Sequence, residues 1–172
     1  MSDNLNIALI QTALVWENPQ QNRDNILEKI ETIKKPVDLV VLPEMFTSGF
    51  TMHPAHAAET MKGETIAWLT TLASKKQFAV TGSLVIEEDG NFYNRMVFVH
   101  PNGKIEHYDK RHRFTLAGEH KVYTAGSKKI IVDYKDWKIC PLICYDLRFP
   151  VWSRNTIDYD VLIYVANWPA PR

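Results

Sequence analysis

Short apolar runs separated by amphipathic stretches constrain this chain more than any other feature of its sequence. Asn6 to Gln11 and Val37 to Leu42 each read as a buried strand, and the second stops at Pro43. Between them, Asn18-Pro19 is an N-cap followed by proline at the first helical position. Ile26, Ile30 and Ile33 then fall at i, i+4 and i+7, which predicts a helix ending near Lys35, before Pro36. A second helix, about Glu64 to Lys75, puts Ile66, Leu69 and Ala73 on one stripe. Strand, helix, strand, helix, strand is the rhythm of an α/β layered fold.

From Phe78 the rhythm changes. Phe78 to Glu87, Phe92 to His100 and Lys104 to Tyr108 read as strands, with turns at Glu88-Asp89-Gly90-Asn91 and Pro101-Asn102-Gly103. That is an antiparallel meander. Lys110 to Ser127 shows no period and reads as a long irregular loop, a class usually tied to function in compact domains. Lys129 to Tyr134, Trp137 to Cys144, a short helix over Phe149 to Asn155 and a strand over Asp160 to Val165 complete the chain.

The chain has 172 residues, ample for a hydrophobic core without metal or disulfide staples. Twenty basic residues balance 20 acidic ones, which argues against nucleic acid or a membrane surface as a broad electrostatic partner. No apolar run approaches the roughly 18–20 residues that span a bilayer. No basic segment precedes the first apolar run either, so the expected location is cytoplasmic. Cys140 and Cys144 lie four positions apart in an extended segment, about 13 Å along a strand, too far for a disulfide. Two free thiols are therefore expected.

Three segments deliver a reactive residue at the end of an apolar strand: Val40-Val41-Leu42-Pro43-Glu44, Ile105 to Lys110, and Ile139 to Cys144. Sites gather at the carboxyl ends of strands in open α/β sheets. A carboxylate, an ammonium and a thiol brought together make a base, a cation and a nucleophile. Each has a plain alternative. A cysteine in an apolar strand is ordinarily core packing, and Cys140 is assigned to that role. Glu44 alone suits a helix N-terminus, and Lys110-Arg111-His112-Arg113 alone suits a solvated basic loop. Asp146 and Arg148 read as an ion pair bracing the turn beneath Cys144. The histidines, His53 and His56 included, have poor ligand spacing, so no metal is expected.

Leu42-Pro43-Glu44, Tyr108-Asp109-Lys110 and Cys144-Tyr145-Asp146-Leu147-Arg148-Phe149-Pro150 resemble, in order, the three signatures of the nitrilase superfamily of carbon–nitrogen hydrolases. Glu44 to Phe50 is similar to its omega-amidase branch. The resemblance implies a four-layer α-β-β-α sandwich and no cofactor. It also implies Glu44 as general base, Lys110 as electrophilic stabiliser and Cys144 as nucleophile. Glu119, in Gly118-Glu119, matches a second glutamate of the family, and the backbone N–H of Tyr145 is a further oxyanion donor.

The implied reaction is hydrolysis of a small omega-amide, such as 2-oxoglutaramate or 2-oxosuccinamate, to its acid and ammonia. Arg111 and Arg113 are the candidate cations for the substrate carboxylate. A homodimer or higher homo-oligomer is implied as well. The alternatives are another carbon–nitrogen substrate (an N-carbamoyl amino acid or a nitrile) or a truncated or binding protein that keeps the motifs. Residues 1–172 read as one hydrolase domain whose last strand lacks a lid, hence as the N-terminal portion of a longer domain lacking its C-terminal part.

Overall fold

In the computed structural model, which describes residues 4–168, the opening alternation forms consecutive strand–helix–strand units. β1 (Ile7–Leu9) and β2 (Leu39–Val41) pair in parallel, Ile7 against Leu39, with α1 (Pro19–Glu31) between them. Asn18 caps α1 by accepting the Gln21 N–H at 3.1 Å, as its sequence position demands. The helix ends at Glu31, short of Lys35. Thr32 stops it: its hydroxyl and its N–H both donate to the Lys29 carbonyl, closing the last turn before Ile33.

After β2 come α2 (Pro54–Ala57), which periodicity did not reveal, and α3 (Glu64–Lys76). β3 (Ala79–Glu88) then pairs in parallel with β2, Leu39 against Ala79. β3, β4 (Asn91–Val99) and β5 (Ile105–Asp109) are the antiparallel meander. Asp89 and Gly90 join β3 to β4, both at positive φ, the condition for a type I′ hairpin turn. The first sheet therefore runs β1-β2-β3-β4-β5. The segment expected to be an irregular loop contains a 3₁₀ turn, Thr115–Ala117, and α4 (Glu119–Val122).

The second sheet runs β6 (Val132–Tyr134), β7 (Trp137–Ile143) and β8 (Val161–Val165), with β6–β7 antiparallel and β7–β8 parallel. A 3₁₀ turn, Cys144–Arg148, and α5 (Pro150–Ser153) connect β7 to β8. The predicted helix over Phe149 to Asn155 is thus only one turn long.

Side-chain alternation sorts the core into layers. Val40, Leu42, Val80, Leu84, Val97 and Val99 face α1 and α3, packing on Ile26, Ile30, Ile66 and Leu69. Leu39, Val41, Met96, Phe98 and Tyr108 face the second sheet, packing on Ile139, Leu142, Ile143, Ile163 and Val165. The described residues thus supply the helix, sheet and sheet layers of the expected sandwich. On β8, Ile163 and Val165 are buried while Leu162 is 37% exposed on the other face. No helix among the described residues is long and apolar enough to cross a membrane.

Candidate active site

Each strand-end residue is held by contacts that its own segment cannot supply. Beyond β2 the chain turns through Glu44 and Met45, the latter at φ 47°. This is a turn and not a helix start, which removes the helix N-terminus as a reason for Glu44. The turn is fastened to β3: the Met45 N–H donates to Ser83 Oγ at 2.9 Å and the Phe46 N–H to the Ser83 carbonyl at 3.0 Å. Gly82 permits this approach, because a Cβ there would stand 2.7 Å from Leu42 Cβ.

Lys110 follows β5 directly. Arg95, almost fully buried, grips Asp109 with Nε at 2.7 Å and Nη2 at 3.0 Å, a two-point fork that fixes the end of the strand. The Lys110 N–H donates to the Asn94 carbonyl, and its own carbonyl accepts the Gly126 N–H, each at 3.0 Å.

Cys144 sits where β7 passes into the 3₁₀ turn, at φ 42°. That left-handed conformation is costly for a residue with a Cβ and persists where surroundings impose it. A sharp strand-to-helix turn of this kind thrusts its side chain outward. Asp146 does the imposing. It is 0% exposed; Oδ2 accepts from Tyr108 Oη at 2.8 Å and from the Ile143 N–H at 3.1 Å. Its Oδ1 meets the His112 N–H at 2.9 Å and His112 Nδ1 at 2.8 Å. The expected Asp146–Arg148 ion pair is therefore incorrect. Asp146 does brace the turn, but it points inward to β5 and His112, whereas Arg148 is exposed and lines the neighbouring cavity.

The three strand ends and α4 meet in one buried cluster. Lys110 Nζ donates to Glu44 Oε1 at 2.8 Å and to both Glu119 oxygens at 3.0 Å. Glu44 and Glu119 are both 0% exposed. Asn94 Nδ2 bridges them, at 2.9 Å from Glu44 and 3.4 Å from Glu119. Glu44 Oε2 accepts the Asn167 N–H at 3.2 Å, and Glu119 Oε2 the Phe114 N–H at 2.5 Å. Trp168 Nε1–H points at Cys144 Sγ, 2.8 Å away.

Charge states follow from these contacts. Burial works against the Lys110 ammonium, but the two carboxylates outweigh it and hold the lysine charged well above its ordinary value. Burial raises Glu119, with Lys110 opposing. Burial, then the Glu44 charge, pushes the Cys144 thiol up to about 12, while Lys110 and the Trp168 N–H pull it down. Cys140, inside β7, is lifted by burial to about 11. Both cysteines are free thiols.

A cavity of about 400 Å³ opens over the cluster, lined by Glu44, Phe50, Phe114, Cys144, Arg148 and Trp168, among others. Tyr145 is also in its wall. Neither Arg111 nor Arg113 reaches it. Arg111 donates to the Gly126 carbonyl at 3.1 Å and lies over the Trp152 ring, and Arg113 donates to the Tyr123 carbonyl at 2.9 Å. Among the described residues, Arg148 is the cation in its lining.

The model of the Carbon-nitrogen hydrolase family matches residues 6–170. The chain belongs to that family. Among its relatives, Omega-amidase YafV of Escherichia coli K12 is 45% identical over 168 residues, 98% of this chain and 65% of that protein. The 2-oxoglutaramate amidase of Bacillus subtilis 168 is 33% identical over 171 residues, 96% of this chain and 66% of that one. A solved CN-hydrolase superfamily protein of Xanthomonas campestris, carrying an arsenic adduct in its active site, superposes with a TM-score of 0.93 at 41% identity. That superposition covers 98% of this chain and 66% of the other. The chain thus spans just under two thirds of the length of these relatives. The expected membership of the nitrilase superfamily, near its omega-amidase branch, and the expected sandwich fold are borne out.

In this member of the family, Glu44, Lys110 and Cys144 come together, and Glu119, whose contact the sequence left open, meets the Lys110 ammonium. Asn94, Arg148 and Trp168 were not anticipated at the site. Asn94 carried a signal: with Arg95 it forms a polar pair between the apolar stretches of its strand. So did Trp168, which follows a strand end just as Glu44 does.

Proposed function

We propose that the protein hydrolyses the terminal carboxamide of a small omega-amide to its acid and ammonia through a thioester on Cys144. Substrates of the 2-oxoglutaramate or 2-oxosuccinamate type suit it. The observation that carries this reading is a thiol on a left-handed turn, facing one buried ammonium shared by two buried carboxylates.

The thiol is largely neutral near pH 7, so Glu44 takes its proton as sulfur attacks the carbonyl carbon. The oxyanion that develops is stabilised by the Lys110 ammonium and the Tyr145 backbone N–H. Collapse breaks the C–N bond as Glu44 returns the proton to the leaving nitrogen, releasing ammonia. Water then attacks the thioester, with Glu44 accepting its proton, and the thiol is restored. Glu119 keeps Lys110 aligned from the far side. Arg148, at the cavity wall, takes the carboxylate at the other end of the substrate. The omega-amidase and 2-oxoglutaramate amidase relatives support this substrate class.

Ammonia release across a panel of omega-amides, uncharged amides, N-carbamoyl amino acids and nitriles tests the reading. Turnover should be greatest on carboxylate-bearing omega-amides, vanish in Cys144→Ala and largely survive in Cys140→Ala. Equal loss in both variants would sink the assignment.

A further inference from the structure

We infer that Trp168 is a catalytic residue, its indole N–H serving as the hydrogen-bond donor to the Cys144 sulfur when that sulfur carries charge. The inference rests on Cys144 being the nucleophile. Trp168 follows β8, in the second sheet, and its Nε1 lies 2.8 Å from Sγ while its ring forms part of the cavity wall. An indole N–H can only donate. Against a thiol it is a weak contact; against a thiolate it is charge-assisted and correspondingly stronger.

The other groups around the sulfur explain why a donor is wanted there. The charged groups acting on it are Glu44 after β2 and Lys110 after β5, with Glu119 behind Lys110 on α4; Arg148 and Tyr145 share the cavity wall. Lys110 favours the thiolate through its charge, but its ammonium hydrogens are given to Glu44 and Glu119, so it leaves the sulfur without a direct donor. Glu44 is itself negative towards the thiolate it creates. Trp168 adds to the Lys110 charge a direct hydrogen bond on the sulfur, from a group that does not compete for the proton.

The donor acts twice in the cycle. It holds the thiolate as the S–H proton passes to Glu44, and it slackens as the C–S bond forms and sulfur becomes a neutral thioester. When water's attack breaks that bond, the electron pair returns to sulfur and the same N–H receives it. Stabilising a thiolate also makes it less nucleophilic, but the two effects are unequal. Each unit of lowered thiol pKa multiplies the thiolate population about ten-fold and cuts its intrinsic reactivity only about three-fold. The net gain is about three-fold per unit for a thiol that starts far above the working pH.

Trp168→Phe, in a Cys140→Ala background, isolates the donor. Trp168 is 46% exposed and phenylalanine is smaller, so the change neither threatens the core nor blocks access to sulfur. Iodoacetamide alkylation of Cys144 at pH 8, followed by intact mass, should slow by about three-fold or more. The kcat for amide hydrolysis should fall at least as far, with KM changed less than about two-fold. Alkylation that is unchanged or faster overturns the inference, even if kcat drops, because the indole would then be only a wall. The alkylation needs no turnover. If Cys144→Ala retains amide hydrolysis, the reading of Cys144 fails separately from this result.

Discussion

Lys110 serves two carboxylates and one thiol, and that sharing decides how each partner responds to substitution. The Glu44 charge raises the Cys144 thiol and the Lys110 charge lowers it. Glu44→Gln removes the proposed base and the repulsion together while leaving the ammonium in place. Turnover should fall about 10²–10⁴-fold. Yet the thiol should ionise at lower pH than in the parent, since losing a nearby negative charge favours the thiolate. Alkylation of Cys144 at pH 8 should therefore speed up as hydrolysis collapses. Ammonia release and intact mass read the two effects, and parallel losses would show that Glu44 does not act on the thiol electrostatically.

At this scale, Glu44, Lys110 and Cys144 were legible because each follows an apolar strand, and strand ends are where side chains emerge. Arg148 was misassigned because sequence proximity to Asp146 suggested a pair. Asp146 instead satisfies its oxygens with Tyr108, His112 and Ile143, the first two of which only the fold brings near.

Among the elements, the segment behind β5 sets where Lys110 stands. A Cβ on Gly126 would lie 2.0 Å from the Asp109 carbonyl oxygen, so only glycine lets that segment press on the strand end. Gly126→Ala should cost about 1–3 kcal/mol in urea unfolding through overpacking. It should also lower kcat more than a comparable loss elsewhere, because the backbone that must shift carries Lys110. Unchanged kinetics with reduced stability would show that the strand end absorbs the strain.

Elements with strong periodicity were readable, and their ends were not. The α1 stripe of Ile26 and Ile30 gave the helix, but Thr32 ended it through a hydroxyl contact that periodicity does not encode. α2 and α4, of one turn each, are too short to show a period. α4 nevertheless matters most, because it carries Glu119 to the ammonium.

The whole molecule places its chemistry on a seam. Glu44 and Lys110 stand just after strands of the first sheet, Glu119 on α4 behind them, and Cys144 and Trp168 just after strands of the second. The core between the sheets thus holds the reacting groups in register. Phe98, on β4, meets Tyr134, on β6, edge to face at 5.7 Å and is 1% exposed. Phe98→Ala should destabilise by about 3–5 kcal/mol. Circular dichroism and tryptophan fluorescence should follow one urea transition at a lower midpoint. Separate transitions would mean that the sheets do not unfold as a unit.

The two carboxylates and one ammonium also give the site a consequence at the end of the cycle. In the proposed reaction the arriving carboxamide is uncharged at its reactive end. The acid it would yield is an anion in the same place, beside a cluster of two carboxyl groups against one ammonium. Like charges at that distance repel, and burial leaves little water to screen them. On that reading, the site disfavours the acid relative to the amide. Product departure would then be built into the same carboxylates proposed to prepare the thiol, and the acid should compete poorly with its amide for the cavity.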